Sequence, residues 1–408
     1  MGKQLLLIIL IWCSLLSAQN LDLLMRYDSG YYLSLGGTGL ASTKYSSSMD
    51  INPAALSNYT SINISLTQGA AYYSYELLRM RDDIGTLENK WNNLIYNFDQ
   101  ISLVMPYKDF SFGVGIYRKL SPRIENKKIA VTYSDLFAQE TTGNVYSVSA
   151  GFGYRLSNSV LLGLIFSHYF GKINSMIRGE NHNIDSDKWV SMESSLSGIN
   201  FKCGLIFSNR NWSAGVTLET PFEMKVKTSN QISTHQLYKY LLPDYDETNW
   251  NQPFVLAAGV SYCGINNLLF EADYEIRKYK SSVVQINLYE FGGNPVWQNV
   301  STLRFGLEYK PDDWKLPVKL GYAIMPQLYY SNNSVGFGNI ISSYNNTDRN
   351  KRYAYTVGTT FQFNKLLLDL CINYSTLKWN RTLFASVKVV DDFSENTTTL
   401  SIRLECSI

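Results

Sequence analysis

The feature that most constrains the fold of this chain is an alternation of apolar and small or polar side chains with a period of two. Residues 144–156, NVYSVSAGFGYRL, place aromatic and aliphatic side chains on one face and serine, glycine and arginine on the other. Residues 110–118 and 302–310 repeat the pattern. Such alternation is typical of β-strands, and these stretches match the roughly 9–11 residues that a tilted membrane strand needs.

The connections between the predicted strands are alternately short and long. Turns such as 107–110 and 156–159 are followed by long segments such as 120–143 and 172–195. Short turns at one end and long loops at the other are characteristic of a transmembrane barrel. The sequence therefore predicts an all-β fold, a transmembrane antiparallel β-barrel of about 14 strands. The predicted strands are 60–68, 99–107, 110–119, 144–156, 159–171, 196–208, 211–226, 253–263, 267–278, 301–310, 315–326, 352–363, 366–377 and 396–406.

Residues 382–390, TLFASVKVV, decide the strand count. A separate strand here would give an odd number, whereas bacterial single-chain barrels have even numbers. We therefore interpret 382–390 as part of the last outer loop or as an extension of the thirteenth strand.

The N-terminal region divides into two segments ahead of the barrel, which we assign to residues 59–408. Residues 1–18 combine a positive start with an apolar run and small residues, which predicts a secretory signal peptide. Residues 19–58 contain LGGTGLAS and then DINPAAL, and we predict that they form a hatch inside the barrel mouth. A plain periplasmic tail is the alternative. The predicted hatch and gating residues are Gly36, Gly37 and Gly39, which permit tight turns, and Asn52, Pro53 and Ala54.

Composition narrows the function classes. The chain has 30 tyrosines, which suit the aromatic girdles of a barrel, and a net charge of +2, which gives no case for nucleic acid. No HExxH, GxSxG, P-loop or EF-hand motif occurs, so we predict a protein that is not an enzyme and that uses no cofactor or metal. Cys371 and Cys406 fall on opposite faces of their predicted strands, so we expect free thiols there.

Several charged side chains alternate with apolar ones and would face the lumen if the apolar faces meet lipid. They form either a polar relay that holds a plug or guides a substrate, or simply paired and solvated lumen charges. The predicted lumen residues are Glu271, Asp273, Glu275, Arg304, Glu308 and Asp369.

One predicted outer loop carries an amphipathic pattern. Residues 75–95 show helix-like spacing of leucine, isoleucine and tryptophan, interrupted by Gly85. Exposed apolar loops would offer a docking groove for a hydrophobic ligand, or would pack on one another and cap the barrel. A protein partner at the outer loops is a further interpretation.

The N-terminal motifs, together with LRFGLEYKP at 303–311 and LLLDLCINYS at 366–375, resemble the FadL/TodX-type outer-membrane hydrophobic-compound transporters. The resemblance implies a Gram-negative-type outer membrane reached by Sec-type export, contact with membrane lipid, and passive uptake of long-chain fatty acids or hydrocarbons. It implies that Asn52, Pro53 and Ala54 belong to a hatch. It also implies a bent strand that opens the wall, for which Gly113 and Gly115 are the candidates. PorV-type barrels, which act as shuttles or scaffolds in protein secretion and surface attachment, share this fold and N-terminus and remain the alternative.

Overall fold

The computed structural model of the chain describes most of the sequence from residue 30 onward. The described residues are 30–42, 49–81, 85–121, 124–130, 135–181, 188–232, 247–279, 295–297, 299–314, 316–326, 329–331, 341–343, 351–384 and 388–408. The predicted signal peptide and the first part of the predicted hatch lie outside them.

Fourteen antiparallel strand positions form the wall, and three of them are divided into two segments. The strands are β1 (Asn63–Arg81), β2 (Gly85–Tyr107), β3a (Phe110–Leu120) and β3b (Ile124–Ala130), β4 (Asp135–Arg155), β5 (Val160–Asn181), β6 (Lys188–Ser208), β7a (Trp212–Glu219) and β7b (Phe222–Ile232), β8a (Glu247–Gln252) and β8b (Val255–Ile265), β9 (Leu268–Arg277), β10 (Val300–Tyr309), β11 (Val318–Pro326), β12 (Lys351–Phe363), β13 (Leu366–Phe384) and β14 (Lys388–Ser407).

The sheet closes on itself because β1 pairs with both β2 and β14. The closed antiparallel barrel of fourteen strands confirms the predicted fold class. Residues 382–384 continue β13 and residues 388–390 begin β14, so 382–390 is not a separate strand. Three short segments lie outside this count. Ile341–Ser343 pairs with the end of β13, and Pro295–Trp297 pairs with Tyr329–Ser331 in a separate two-stranded sheet.

The prediction of a loop with helix-like spacing at 75–95 is wrong. Here β1 and β2 form one long hairpin whose ladder continues from Asn63↔Val104 to Arg81↔Gly85. Tyr75 pairs with Trp91 across this hairpin, and their rings stack with centroids 5.5 Å apart. Such cross-strand aromatic contacts stabilise a ladder, so the apolar residues that mimic a helical stripe belong to two facing strands.

The outer face of the wall is an apolar belt with aromatic side chains at both margins. Leu164 and Phe201 expose 59% and 55% of their surface, although soluble proteins bury such side chains. Beyond the belt the outer face is polar, and Lys227 donates a hydrogen bond to Glu247 that holds the pKa of this carboxyl below its usual value. The aromatic margins consist of Tyr72, Tyr96, Tyr274, Tyr355 and Tyr374 on the long-loop side and Tyr107, Phe110, Trp212, Tyr262, Tyr309 and Phe363 on the short-turn side.

Within the described part of the chain, no helix is long and apolar enough to cross a membrane.

The wall is interrupted at two places, which differ in how the strands continue. At the first, which we call the bend, β7 breaks at Thr220–Pro221 and β8 breaks at Pro253–Phe254. Beyond the bend β7b pairs with β6 on one side and with β8a on the other, so the ladder resumes.

The second interruption, which we call the seam, lies between β2 and β3. The β2–β3a ladder ends at Gln100↔Tyr117. Beyond it β3b pairs with β4, but no ladder joins β3b to β2 among the residues that the structure describes. Both ladders of β7 therefore resume beyond the bend, whereas β3 loses its ladder with β2 along the seam.

Candidate functional site

A compact N-terminal segment, residues 30–42 and 49–62, lies inside the barrel, and we call it the inner segment. It contains two short 3-10 helices, Leu33–Leu35 and Pro53–Asn58. The first ends at Gly36, whose φ of 70° lies in the left-handed region that favours glycine. The second begins at Asn52, whose side chain accepts a hydrogen bond of 3.1 Å from the backbone N–H of Ala54. Both ends follow ordinary capping chemistry.

A ring of glycines on the inner wall makes room for this segment. An ideal Cβ built on any of these glycines would lie within 3.0 Å of an atom of the inner segment. Several are direct cross-strand neighbours, as in the pairs Gly153↔Gly163 and Gly163↔Gly204. Because these positions carry no side chains, the backbone of the wall strands lies in close contact with the inner segment. The ring consists of Gly113, Gly151, Gly153, Gly163, Gly204, Gly215, Gly259, Gly306, Gly321 and Gly358.

Three of the predicted lumen carboxylates bind the inner segment directly. The Tyr31 hydroxyl donates to Glu308 at 2.6 Å, and the Thr38 hydroxyl donates to Glu271 at 2.7 Å. The backbone N–H of Leu40 donates to Asp273 at 3.2 Å. These residues satisfy polar groups of the segment inside a wall whose own backbone groups are used in the sheet.

The other predicted lumen residues belong to ion pairs within the wall. Glu275 lies 2.8 Å from the Arg277 guanidinium and 3.4 Å from that of Arg304. Asp369 contacts Lys319 at 2.9 Å and Arg403 at 2.6 Å.

The Asp369 group also reaches the inner segment. The Lys319 ammonium lies 3.8 Å from the centre of the Tyr31 ring. Through this cation–π contact, the Asp369 group binds the same tyrosine whose hydroxyl donates to Glu308.

Asp50 is a charged contribution of the inner segment itself. Its two carboxylate oxygens each lie 2.6 Å from the ammonium of Lys119 on β3a. Lys202 of β6 donates to the backbone oxygen of Asp50 at 2.9 Å and pairs with Glu219 at 3.2 Å. All these groups are largely buried, so their pairing matters more than it would at a surface.

An apolar cluster fills the interior on the long-loop side of the bend. Aliphatic and aromatic side chains from at least six strands meet there, and Leu120 of β3a and Phe222 of β7b pack against them. The interior thus changes from a polar, charged zone around the inner segment to an apolar zone beyond it. The cluster comprises Val145, Tyr169, Leu196, Met224, Val226, Trp250, Tyr279 and Val300.

The seam begins where both flanking strands are irregular. On β3a the register shifts between Arg118 and Leu120, and on β2 Asp99 is left out of the β1 ladder. A buried ion pair joins these two bulges, with 2.6 Å between Arg118 and Asp99. Just beyond it, Ser121 donates a hydrogen bond of 3.4 Å to the side chain of Asn97. Side chains, not a backbone ladder, hold the two edges together here.

The structure places Gly113 and Gly115 in an unbroken ladder between β2 and β4. The register shift of the third strand lies further along, at Arg118, and the strand itself breaks after Leu120. Gly113 belongs instead to the glycine ring, facing Met49 and Leu56 of the inner segment.

Apart from Arg304, sequence reasoning missed the cations of the site. Arg403 alternates with Ile402 and Leu404, so its inward orientation was readable from the same pattern that gave Asp369. Lys119 keeps the period of two that places Gly113 and Tyr117 inward, so it was readable in the same way. Arg118 was not, because the bulge turns it inward against that period. The predicted placement of Cys371 and Cys406 on opposite faces is confirmed: Cys371 is buried, Cys406 is exposed, and both thiols are free.

No group of three or more His, Cys, Asp or Glu side chains is arranged to hold a metal ion among the described residues.

These features define a closed fourteen-stranded barrel with an N-terminal segment docked inside it and a seam in its wall. The sequence model of the BamG family matches residues 31–317, and the chain belongs to this family. Comparison with curated proteins returned no match.

Solved structures share the fold over nearly the whole chain. A FadL homologue of Pseudomonas aeruginosa has a TM-score of 0.64 at 11% identity, covering 94% of this chain and 99% of that one. The toluene transporter TodX of P. putida has a TM-score of 0.60 at 14% identity, with the same coverage of 94% and 99%. The toluene transporter TbuX of Ralstonia pickettii has a TM-score of 0.59 at 13% identity, again covering 94% and 99%. The resemblance to FadL/TodX-type transporters is thus confirmed for the fold, whereas the family is BamG.

Proposed function

We propose that the protein is an outer-membrane channel for the passive uptake of hydrophobic small molecules, such as long-chain fatty acids or hydrocarbons. The end of β14 and the short turns lie at the periplasmic mouth. The inner segment acts as the hatch, in which Gly36, Gly37, Gly39, Asn52, Pro53 and Ala54 shape the fold of the plug. The barrel-fold relatives that transport toluene support this class of solute.

The seam is the observation that carries this proposal. Burial of apolar surface drives a hydrophobic solute out of water. Such a solute would therefore enter the apolar cluster and not a water-filled pore. The seam adjoins the cluster through Leu120, which follows the β3a bulge. The end of the seam that is nearer the short turns lies at the level of the apolar belt, where Leu94 and Tyr96 of β2 are exposed on the outer face. A hydrophobic solute would therefore pass from the interior into the membrane without crossing the polar zone below.

Uptake by liposomes tests the proposal. Purified protein is reconstituted, and the entry of a labelled long-chain fatty acid and of a labelled aromatic hydrocarbon is measured separately. We expect faster entry of at least one of them than into protein-free liposomes. Equal rates with and without protein for both solutes would contradict the channel, and a difference between the two would identify the solute class.

A PorV-type role as shuttle or scaffold is the second candidate. The observation that favours it is the close docking of the inner segment on ten wall glycines, which holds the segment against the inner wall. A scaffold needs no passage, so it predicts no uptake of either solute and the recovery of a stable protein partner when the barrel is extracted in mild detergent. Uptake without such a partner would exclude it.

A further inference from the structure

The bulge of β3a brings two neighbouring cations into the interior and gives each a different partner. Regular alternation would send Arg118 outward, but Arg118 and Lys119 are both buried. Arg118 pairs with Asp99 across the start of the seam, and Lys119 pairs with Asp50 of the inner segment. One pair therefore joins wall to wall and the other joins wall to inner segment, through adjacent residues of one chain.

These two pairs are linked through a single peptide unit. The peptide unit between residues 118 and 119 is rigid, so a displacement of the bulge away from Asp99 also displaces the Lys119 backbone. Loss of one partner from a buried ion pair leaves an uncompensated charge, which is strongly destabilising. Asp50 in turn is held from the opposite side, where Lys202 binds its backbone oxygen. Movement of the bulge therefore strains the Lys119–Asp50 pair before it strains the rest of the inner segment.

We propose that Asp50 and Lys119 form a latch that couples the seam to the inner segment, so that opening of the seam and undocking of the segment are one concerted step. Lys119 is a positioning residue in this step: it transmits the position of the wall to the segment. The inference rests on the proposed function for its consequence, the release of solute, but its test measures the position of the inner segment and needs no solute.

The test is a double-mutant cycle with a cysteine reporter on the inner segment. Ser57 is buried and its hydroxyl bonds locally to the Ala54 oxygen, so Ser57→Cys in a background with all native cysteines replaced by serine reports undocking by reaction with a water-soluble maleimide. The seam pair is removed as Arg118→Met with Asp99→Asn, and the latch pair as Lys119→Met with Asp50→Asn. Removing both partners of a pair avoids an unpaired buried charge.

We expect removal of the seam pair to accelerate labelling about tenfold, within the usual range of coupling between sites. In the chain that lacks the latch pair, removal of the seam pair should change the labelling rate by less than about twofold, because the seam then no longer acts on the inner segment. Independent sites would instead contribute additively. The same effect of seam-pair removal in both backgrounds would overturn the latch.

A matched control removes a buried ion pair that joins two other strands of the wall. Arg352 and Glu395 lie on β12 and β14 and pair at 2.8 Å, so Arg352→Met with Glu395→Gln should leave labelling unchanged. Acceleration by this control would show a general loosening of the barrel and would also overturn the latch. Coupling without solute uptake would contradict the proposed channel alone, whereas uptake without coupling would contradict the latch alone.

Discussion

The bend and the seam interrupt the same wall with opposite consequences. At the bend, Thr220 donates its backbone N–H to the Phe201 oxygen at 2.9 Å and its hydroxyl accepts from the Phe201 N–H at 3.3 Å. The side chain of Thr220 thus replaces one ladder bond, and β7b rejoins β6 beyond it. At the seam, β3b keeps β4 as a partner and has no ladder with β2 among the described residues. The break in β7 therefore leaves that strand with two paired neighbours, whereas the break in β3 leaves β3b with one.

The strongest test of this comparison is a covalent lock on the seam. The side-chain oxygens of Asn97 and Ser121 lie 3.4 Å apart, so Asn97→Cys with Ser121→Cys places two thiols across it. We expect oxidation to reduce liposome uptake to the protein-free level and reductant to restore it, because the disulfide prevents the edges from separating.

The matched control crosses an intact ladder. Ser194 and Thr228 face each other on β6 and β7b with 3.0 Å between their hydroxyls. Oxidation of Ser194→Cys with Thr228→Cys should leave uptake unchanged. Uptake that survives the seam lock would exclude the seam as the route.

A second test displaces the inner segment while leaving the seam alone. The Cβ of Gly163→Val would overlap the backbone of Pro53, which cannot yield as a flexible side chain can. Overpacking of this kind costs about 1–3 kcal/mol, so we expect an undocked segment, a lower free energy of unfolding, and ion conductance in planar bilayers that the unmodified protein lacks.

The control for this variant is the next residue on the same strand. Leu164→Val changes an outward side chain of β5 and should alter neither conductance nor unfolding. Unchanged conductance in Gly163→Val would contradict the hatch role of the inner segment.

A smaller effect is expected where the apolar cluster is made polar. Met224 is fully buried on β7b, beyond the bend, whereas its neighbour Lys225 is exposed on the outer face. Met224→Asn adds an amide to the cluster and so weakens the binding of an apolar solute. Each 1.4 kcal/mol of lost binding free energy lowers the affinity about tenfold. We expect uptake to fall several-fold, with Lys225→Asn as the unchanged control in the same assay. Equal uptake by both variants would remove the cluster from the route.

The sequence predicted the wall well because each strand carries its own pattern. The inward faces of 268–277 and 366–377 were readable from alternation alone, and the short turns fixed which ends lie together. The strand extensions of β1 and β2 were not readable, since apolar side chains occur on both of their faces: Ile95 is buried, whereas Leu94 and Tyr96 are exposed. Their apolar residues instead matched a helical spacing by chance.

The site was less predictable for a related reason. The carboxylates Glu271, Asp273 and Glu308 lie in regular strands, and their inward faces followed from alternation. The seam depends on a register shift at Arg118 and on the pairing of β3b with β4 alone, which are relations between distant strands. No local pattern in the sequence carries that information.

The smallest effect is expected at the bend, with Pro221→Ala. Pro221 lies outside the ladder, and the polar groups beside it are already satisfied by Thr220 and Phe201, so the substitution breaks no hydrogen bond of the wall. Its main consequence is that the unfolded chain has more conformational freedom, which lowers the free energy of unfolding by about 0.4–1 kcal/mol. We expect unchanged uptake and a slightly lower denaturation midpoint. If Pro221→Ala reduced uptake as strongly as the oxidised seam lock, the bend would be part of the gate and the distinction between the two interruptions would fail.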